Sequence, residues 1–270
     1  MTAALVDIGI NLTHDSFDHD REEVLRRALA AGVVQFVVTG ASAEGSRAAL
    51  ALAKAAPGLL RATAGCHPHH AFDLDDQAFA SLSELALDPL VAAVGETGLD
   101  YHRNFSAPRE QRLAFERQVQ LACRLGKPLF LHERDAHADF LAVLREQRVT
   151  LPAAVLHCFT GNATQLEACI GFGLHIGITG WICDERRGLH LREIVHLVPQ
   201  GRLMIETDGP YLLPRDLDPK PASRRNEPMY LPHIARVIAD CRQESLEELA
   251  AHTTATARQF FDLPCVDLRS

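Results

Sequence analysis

Short apolar, β-branched runs alternate with longer amphipathic segments from one end of the chain to the other. Eight such runs read as strands: Leu5–Ile10, Val33–Thr39, Leu59–Ala64, Leu90–Val94, Pro128–His132, Ala154–His157, His175–Ile178 and Arg202–Glu206. Between them apolar residues recur three and four apart, the period of a helix with one buried face, as in Arg21–Ala31, Glu44–Ala56, Pro108–Leu125 and Asp135–Glu146. A βαβα alternation implies parallel strands joined by right-handed crossovers. Eight units close a ring, so the predicted architecture is an α/β (β/α)8 TIM barrel forming one domain over residues 1–270. An open doubly wound sheet would carry a Gly-rich phosphate loop after its first strand, and the segment after Ile10 has none. Two stretches interrupt the rhythm, 98–107 and 209–228, read as loops after strands four and eight. Long loops in compact domains concentrate function.

Composition narrows the class. The 270 residues are 47% hydrophobic, enough for a large core, and the seven cysteines include no C-x-x-C pair. A disulfide framework or structural zinc knuckle is therefore not expected, and the thiols read as reduced, as in a cytoplasm. The first residues lack a basic leader and are broken by Asp7, and no apolar stretch is long enough to span a bilayer. The expectation is a cytoplasmic monomer with no membrane partner. Net charge is −8, the reverse of a protein that coats polyanions. A nucleic-acid substrate would need a local basic patch, whereas inward carboxylates suit a bound cation.

The histidines and carboxylates give that idea a place. Glu96 follows strand four, His132 ends strand five, His157 ends strand six, and Glu206 and Asp208 end strand eight. These are carboxyl ends of barrel strands, the face on which sites of this fold are built, so residues distant in sequence converge there. Taken singly, His132 and His157 would read as core histidines. Together with Glu96 and Asp208 they read as metal ligands, because uncompensated polar groups gathered on one rim are costly to desolvate. The mixed donor set accepts Mg2+, Mn2+ or Zn2+. Glu206 joins the site by the same convergence, with pairing to an arginine as its alternative role. His67, in GCHPHH after strand three, is placed near the substrate as hydrogen-bond donor or proton carrier, while His69 and His70 are expected to face solvent. Arg103, Lys220, Arg224 and Arg225 lie on the two long loops and are candidate phosphate contacts. Tyr101 and Trp181 could stack on bases, although packing is the commoner role, and Cys158 and Cys183 read as small apolar fillers.

DIGINL, GCHPH, GETGLDY, LHERDA, LHCFTG, GITGWICDERRG, IETDGPYLLP and PKPASRRNEP, in that order from about residue 7 to 228, resemble the TatD family of metal-dependent nucleases, in particular the branch that gives the family its name. The resemblance implies a TIM-barrel hydrolase of amidohydrolase type with magnesium-dependent 3′-5′ exonuclease activity on single-stranded DNA, RNA being a further substrate, and a role in DNA repair or nucleic-acid turnover. It also implies Glu96, His132, His157 and Asp208 as metal ligands, Glu206 and Asp208 as catalytic carboxylates, and His67 beside the substrate phosphate. Many relatives carry H-x-H after the first strand to hold a second metal, and here Gly9 and Asn11 stand in those positions. A second ion would then arrive with substrate.

Two rival readings keep the same residues. A metal-activated water attacks carbonyls as well, so the chain could hydrolyse an amide or ester, including an aminoacyl ester on transfer RNA. The altered first-strand motif could instead mark a non-catalytic binding protein for quality control.

Overall fold

Leu5–Ile10 (β1) is buried at every position, as a strand covered on both faces requires of the run LVDIGI. The structure, a computed structural model, describes residues 4–265. Further strands are Val33–Val38 (β2), Leu60–Ala64 (β3), Val91–Asp100 (β4), Leu129–Arg134 (β5), Ala154–Leu156 (β6), His175–Ile178 (β7) and Leu203–Ile205 (β8). They form one eight-stranded sheet in sequence order. The ladders β3–β4, β4–β5, β5–β6 and β7–β8 are parallel. Ile10 bridges in parallel to Gly209, so the chain leaving β8 meets the end of β1. This is the (β/α)8 barrel that the apolar rhythm predicts.

Contacts divide the chain into two compact units, residues 38–157 and residues 1–37 with 158–270. The first unit contains β3 to β6 and the helices Ala43–Ala55 (α2), Asp76–Leu85 (α3), Pro108–Leu125 (α4) and His137–Glu146 (α5). Helix α4 starts on Pro108, whose fixed φ suits a first turn, with the Glu110 carboxylate accepting from the Ala107 N–H at 2.9 Å. It stops at Gly126, which takes the left-handed conformation at φ 64°. Its buried stripe runs Ala114, Phe115, Gln118, Val119, Leu121 and Ala122. Phe115 stacks on Phe140 of α5 with ring centroids 5.5 Å apart.

Strand β4 corrects the sequence reading. It was expected to end at Val94 with a loop from residue 98, yet it continues to Asp100, and Gly98, Leu99 and Asp100 pair with His132, Glu133 and Arg134. Gly95 and Gly98 sit at φ 142° and 150°, and a Cβ on them would lie 2.1 Å from Phe130 O and 1.8 Å from His132 O. The glycines therefore admit β5 at close range rather than ending the strand.

The second unit contains β1, most of β2, β7 and β8 with the helices Arg21–Ala30 (α1), Ala163–Phe172 (α6), Leu189–Ile194 (α7), Leu231–Arg242 (α8) and Leu246–Phe261 (α9). Ser245 caps α9 by accepting from the Glu248 N–H, while the Glu248 carboxylate accepts from the Ser245 N–H. Arg225 donates to both carboxylate oxygens of Asp20, at 2.8 and 2.7 Å, and to Glu227 at 2.7 Å, and Arg27 joins both acids. This network ties the long loop after β8 to the start of α1. The Arg225 hydrogen bonds hold the Asp20 carboxyl down at about 2 against an ordinary 3.8. A depressed carboxyl stabilises the fold fully above its unfolded pKa, and that share is lost as pH falls from about 4 through 2. Asp20→Asn should lower the melting temperature at pH 7 by roughly 2–4 °C, the scale of about 1 kcal/mol for a partly solvent-screened pair in a chain of this size. Melting curves of wild type and variant should converge near pH 2, and an undiminished gap there would refute the assignment.

No described helix is long and apolar enough to cross a membrane. All seven cysteines are free thiols.

Candidate metal centre

In the unit of residues 38–157, four successive strand ends deliver side chains to one point. His67 and His69 follow β3, Glu96 and Asp100 lie on β4, His132 lies on β5, and His157 follows β6. Glu96 and Asp100 are four residues apart on a strand, so both face the same side. Glu96 Oε1 is 2.7 Å from His157 Nε2, 2.9 Å from His132 Nδ1 and 3.2 Å from His67 Nε2. Glu96 is only 6% exposed. Asp100 Oδ2 meets His69 Nε2 at 2.8 Å and lies 3.6 Å from His132 Nε2, a charge contact too long for a hydrogen bond.

The electrostatics follow from this crowding. Burial alone would raise the Glu96 carboxyl, but the imidazoles of His67 and His157, with those of His132, hold it well below its usual range. Burial likewise works to raise Asp100, and His132 and His69 hold it far below. For His132, burial is outweighed by Asp100 and Glu96, which raise its pKa. For His67 burial wins over Glu96 and drives the imidazole down to about 4. Its ring is thus neutral at neutral pH. Because His67 Nδ1 accepts from the His69 N–H at 3.1 Å, its one proton sits on Nε2, which makes that atom a donor.

A divalent cation fits these residues. His132 Nε2 is buried with no hydrogen-bond partner among the described residues, and one carboxylate oxygen faces several imidazole nitrogens that a metal could share. Donor atoms of His67, Glu96 and His132 all lie within 4.8 Å of one another. The donor tautomer of His67 sets it apart from the ligands, leaving Glu96, His132 and His157 as the groups of this unit that could hold the ion.

Two glutamines on α4 fix the backbone beneath the cluster. Gln118 accepts from the Cys66 N–H at 2.7 Å and donates to Cys66 O at 3.0 Å. Gln111, two turns earlier, accepts from the Asp100 N–H at 2.8 Å and donates to Asp100 O at 3.0 Å. Sequence reasoning passed over both glutamines, and over Asp100. The available signals were polar residues seven apart within an apolar helical stripe and a second acid on the Glu96 face. His69 also departs from expectation, being bonded to Asp100 and 28% exposed in its side chain rather than facing solvent; burial of the Asp100 carboxylate demands a donor. His70 is exposed, as expected.

The other unit gathers the remaining acids. Asp7 is fully buried on β1 and accepts from the Thr207 N–H at 3.0 Å, the Thr207 hydroxyl at 2.5 Å and the Gly9 N–H at 3.3 Å. Burial still pushes its carboxyl up to about 7. Glu206 is wholly buried and accepts from the Cys158 N–H at 2.6 Å. Asp208 accepts from the Asn11 amide at 2.9 Å, and its own N–H donates to Gly9 O. Asn11 is therefore a partner of the strand-eight acid.

The basic residues divide. Arg103, Lys220 and Arg224 are exposed, whereas Arg225 is engaged by Asp20 and Glu227. The Tyr101 hydroxyl donates to Asp139, and the Trp181 ring lies under the Arg187 guanidinium at 4.3 Å.

The chain is 52% identical over 260 residues to the 3′-5′ ssDNA/RNA exonuclease TatD of Erwinia billingiae (strain Eb661), covering 96% of this chain and 100% of that protein. The crystal structure of YJJV, a TatD homologue from Escherichia coli k12, superposes with a TM-score of 0.88 at 28% identity, covering 98% of this chain and 100% of that one. A TatD family hydrolase from Entamoeba histolytica gives 0.88 at 25% identity, covering 97% and 99%. Residues 6–262 match the family described as TatD related DNase. With the histidine and acid cluster on its strand ends, the chain belongs to that family.

Proposed function

We propose that this protein is a metal-dependent nuclease that removes nucleotides from the 3′ end of single-stranded DNA, and of RNA, by hydrolysing phosphodiester bonds. The observation that carries the reading is Glu96 Oε1, shared by His67, His132 and His157 in a chain 52% identical to an exonuclease of that name. Glu96, His132 and His157 hold the ion, with Asp208 as a further carboxylate ligand. Mg2+ suits the carboxylates and the phosphate substrate, and Mn2+ and Zn2+ suit the imidazoles as substitutes. When bound, such an ion polarises a phosphoryl oxygen and acidifies a water. His67 donates its Nε2 proton in a hydrogen bond to a phosphate oxygen. Glu206 and Asp208 orient the attacking water and accept its proton. Arg103, Lys220 and Arg224 supply phosphate contacts, while Arg225 acts on the loop through Asp20 and Glu227. In this reading the protein is a cytoplasmic monomer acting in nucleic-acid repair or turnover.

The test is a time course on 5′-labelled single-stranded DNA with metal-stripped protein, before and after adding Mg2+. A ladder shortening stepwise from the 3′ end, only with metal, is the expected result. Intact oligonucleotide under every metal, with hydrolysis of small esters, would instead assign the site to carbonyl substrates.

A further inference from the structure

A second constellation of metal-ligating side chains lies wholly within the unit of residues 1–37 and 158–270, and the nuclease reading leaves it unused. Cys183 closes the short 3-10 turn Gly180–Cys183 that follows β7, and it is fully buried. His233 lies in the first turn of α8. Asp216 belongs to the long loop after β8, so the three come from segments far apart in the chain. Their donor atoms, one sulfur, one imidazole nitrogen and one carboxylate oxygen, all lie within 4.8 Å of one another. His233 Nε2 is 2.7 Å from Asp216 Oδ1, and Arg192 Nη2 holds Asp216 Oδ2 at 3.0 Å.

We propose that Cys183, Asp216 and His233 form a second metal site, selective for a zinc-class ion, with water in the fourth position. Ligand atoms around tetrahedral zinc stand about 3.5 Å apart, given bonds of about 2.0–2.3 Å. That spacing is reached by parting His233 from Asp216, now 2.7 Å apart, by under about 1 Å, with the Cys183 sulfur already within 4.8 Å of both. Thiolate and imidazole together favour Zn2+ over Mg2+. Binding forms the S–Zn bond as the Cys183 thiol releases its proton to solvent. The two ligand charges balance the ion, and Arg192 keeps the Asp216 carboxylate oriented from behind. The ion would pin the loop that carries Lys220 and Arg224 to the turn after β7 and to α8.

Cobalt separates this site from the catalytic one, because only a thiolate ligand gives Co2+ a sulfur-to-metal charge-transfer band in the near ultraviolet. Full-length Glu96→Ala protein, stripped with chelator, is titrated with Co2+ and then with Zn2+ as competitor. The expected result is one equivalent of the band, displaced by Zn2+, abolished by Cys183→Ser and weakened at least about tenfold in affinity by His233→Ala. Absence of the band, or its survival in folded Cys183→Ser protein with Cys66 or Cys241 supplying the thiol, overturns the proposal. Should Cys183→Ser not fold, His233→Ala decides the same question, since that imidazole is 24% exposed and its loss leaves the core intact. An unchanged affinity in that variant counts against the site.

Discussion

Glu96→Ala should abolish cleavage of single-stranded DNA, by at least about 10³-fold in kcat/KM, while the far-ultraviolet circular dichroism stays that of the wild type. The size follows from the geometry. Glu96 Oε1 is the common neighbour of His67, His132 and His157, so its removal deletes a proposed metal ligand and the carboxylate bonded to His132. Losing several kcal/mol of metal-borne transition-state stabilisation corresponds to about three powers of ten. The fold should survive because the Glu96 side chain is bonded within the site, and its backbone N–H keeps Gly40 O at 2.8 Å. His132, whose pKa Glu96 helps to raise, can shed its proton once the carboxylate is gone, which avoids the cost of isolated buried charge. Calorimetry should show Mg2+ binding weakened in parallel. A folded variant with wild-type turnover would remove Glu96 from the mechanism and the nuclease proposal with it.

Gly98→Ala should act on the fold first and on activity as a consequence. A methyl there would stand 1.8 Å from His132 O and 2.8 Å from His132 C, in backbone at φ 150° that residues with a Cβ rarely adopt. The obstacle is main chain rather than the end of a flexible side chain, so β4 and β5 would have to part along the stretch pairing Gly98 with His132. We expect a loss of about 3–5 kcal/mol in urea unfolding, at the upper end for single substitutions. Residual folded protein should bind Mg2+ poorly, since Glu96, Asp100 and His132 flank the disturbed pairing. Gly58→Ala, where a Cβ meets nothing within 4 Å, is the matched control and should leave stability nearly unchanged. Equal stability of the two variants would show that β4 and β5 tolerate a wider gap.

Much of the barrel was legible because its strands are mostly short, largely buried and rich in Val, Ile and Leu, a pattern that survives without tertiary information. The end of β4 was not. GETGLDY contains two glycines that look like a loop, and only the nearness of the β5 carbonyls reveals why a strand needs them. That Glu96, His132 and His157 gather on one rim was readable, since polar side chains at the ends of successive barrel strands converge there. Asp100 and His69 were harder, because a carboxylate that orients an imidazole leaves no spacing rule in a sequence. Arg225 marks a different boundary: its residue type suits phosphate, yet Asp20 and Glu227, one of them 205 positions away, claim the guanidinium for the fold. Local composition cannot say which of four basic residues already has an intramolecular partner.

The glutamine pair on α4 has a mechanical corollary. Gln111 and Gln118 grip Asp100 and Cys66 through the same rigid cylinder, so any small slide or tilt of that helix moves the two strand ends in common rather than against each other. A shift of α4 would thus carry the Cys66 and Asp100 backbones together and leave the separation of the two strand ends unchanged. A linkage of this kind lets the outer layer of a barrel breathe while the spacing at its centre stays within the tolerance that ligand geometry demands.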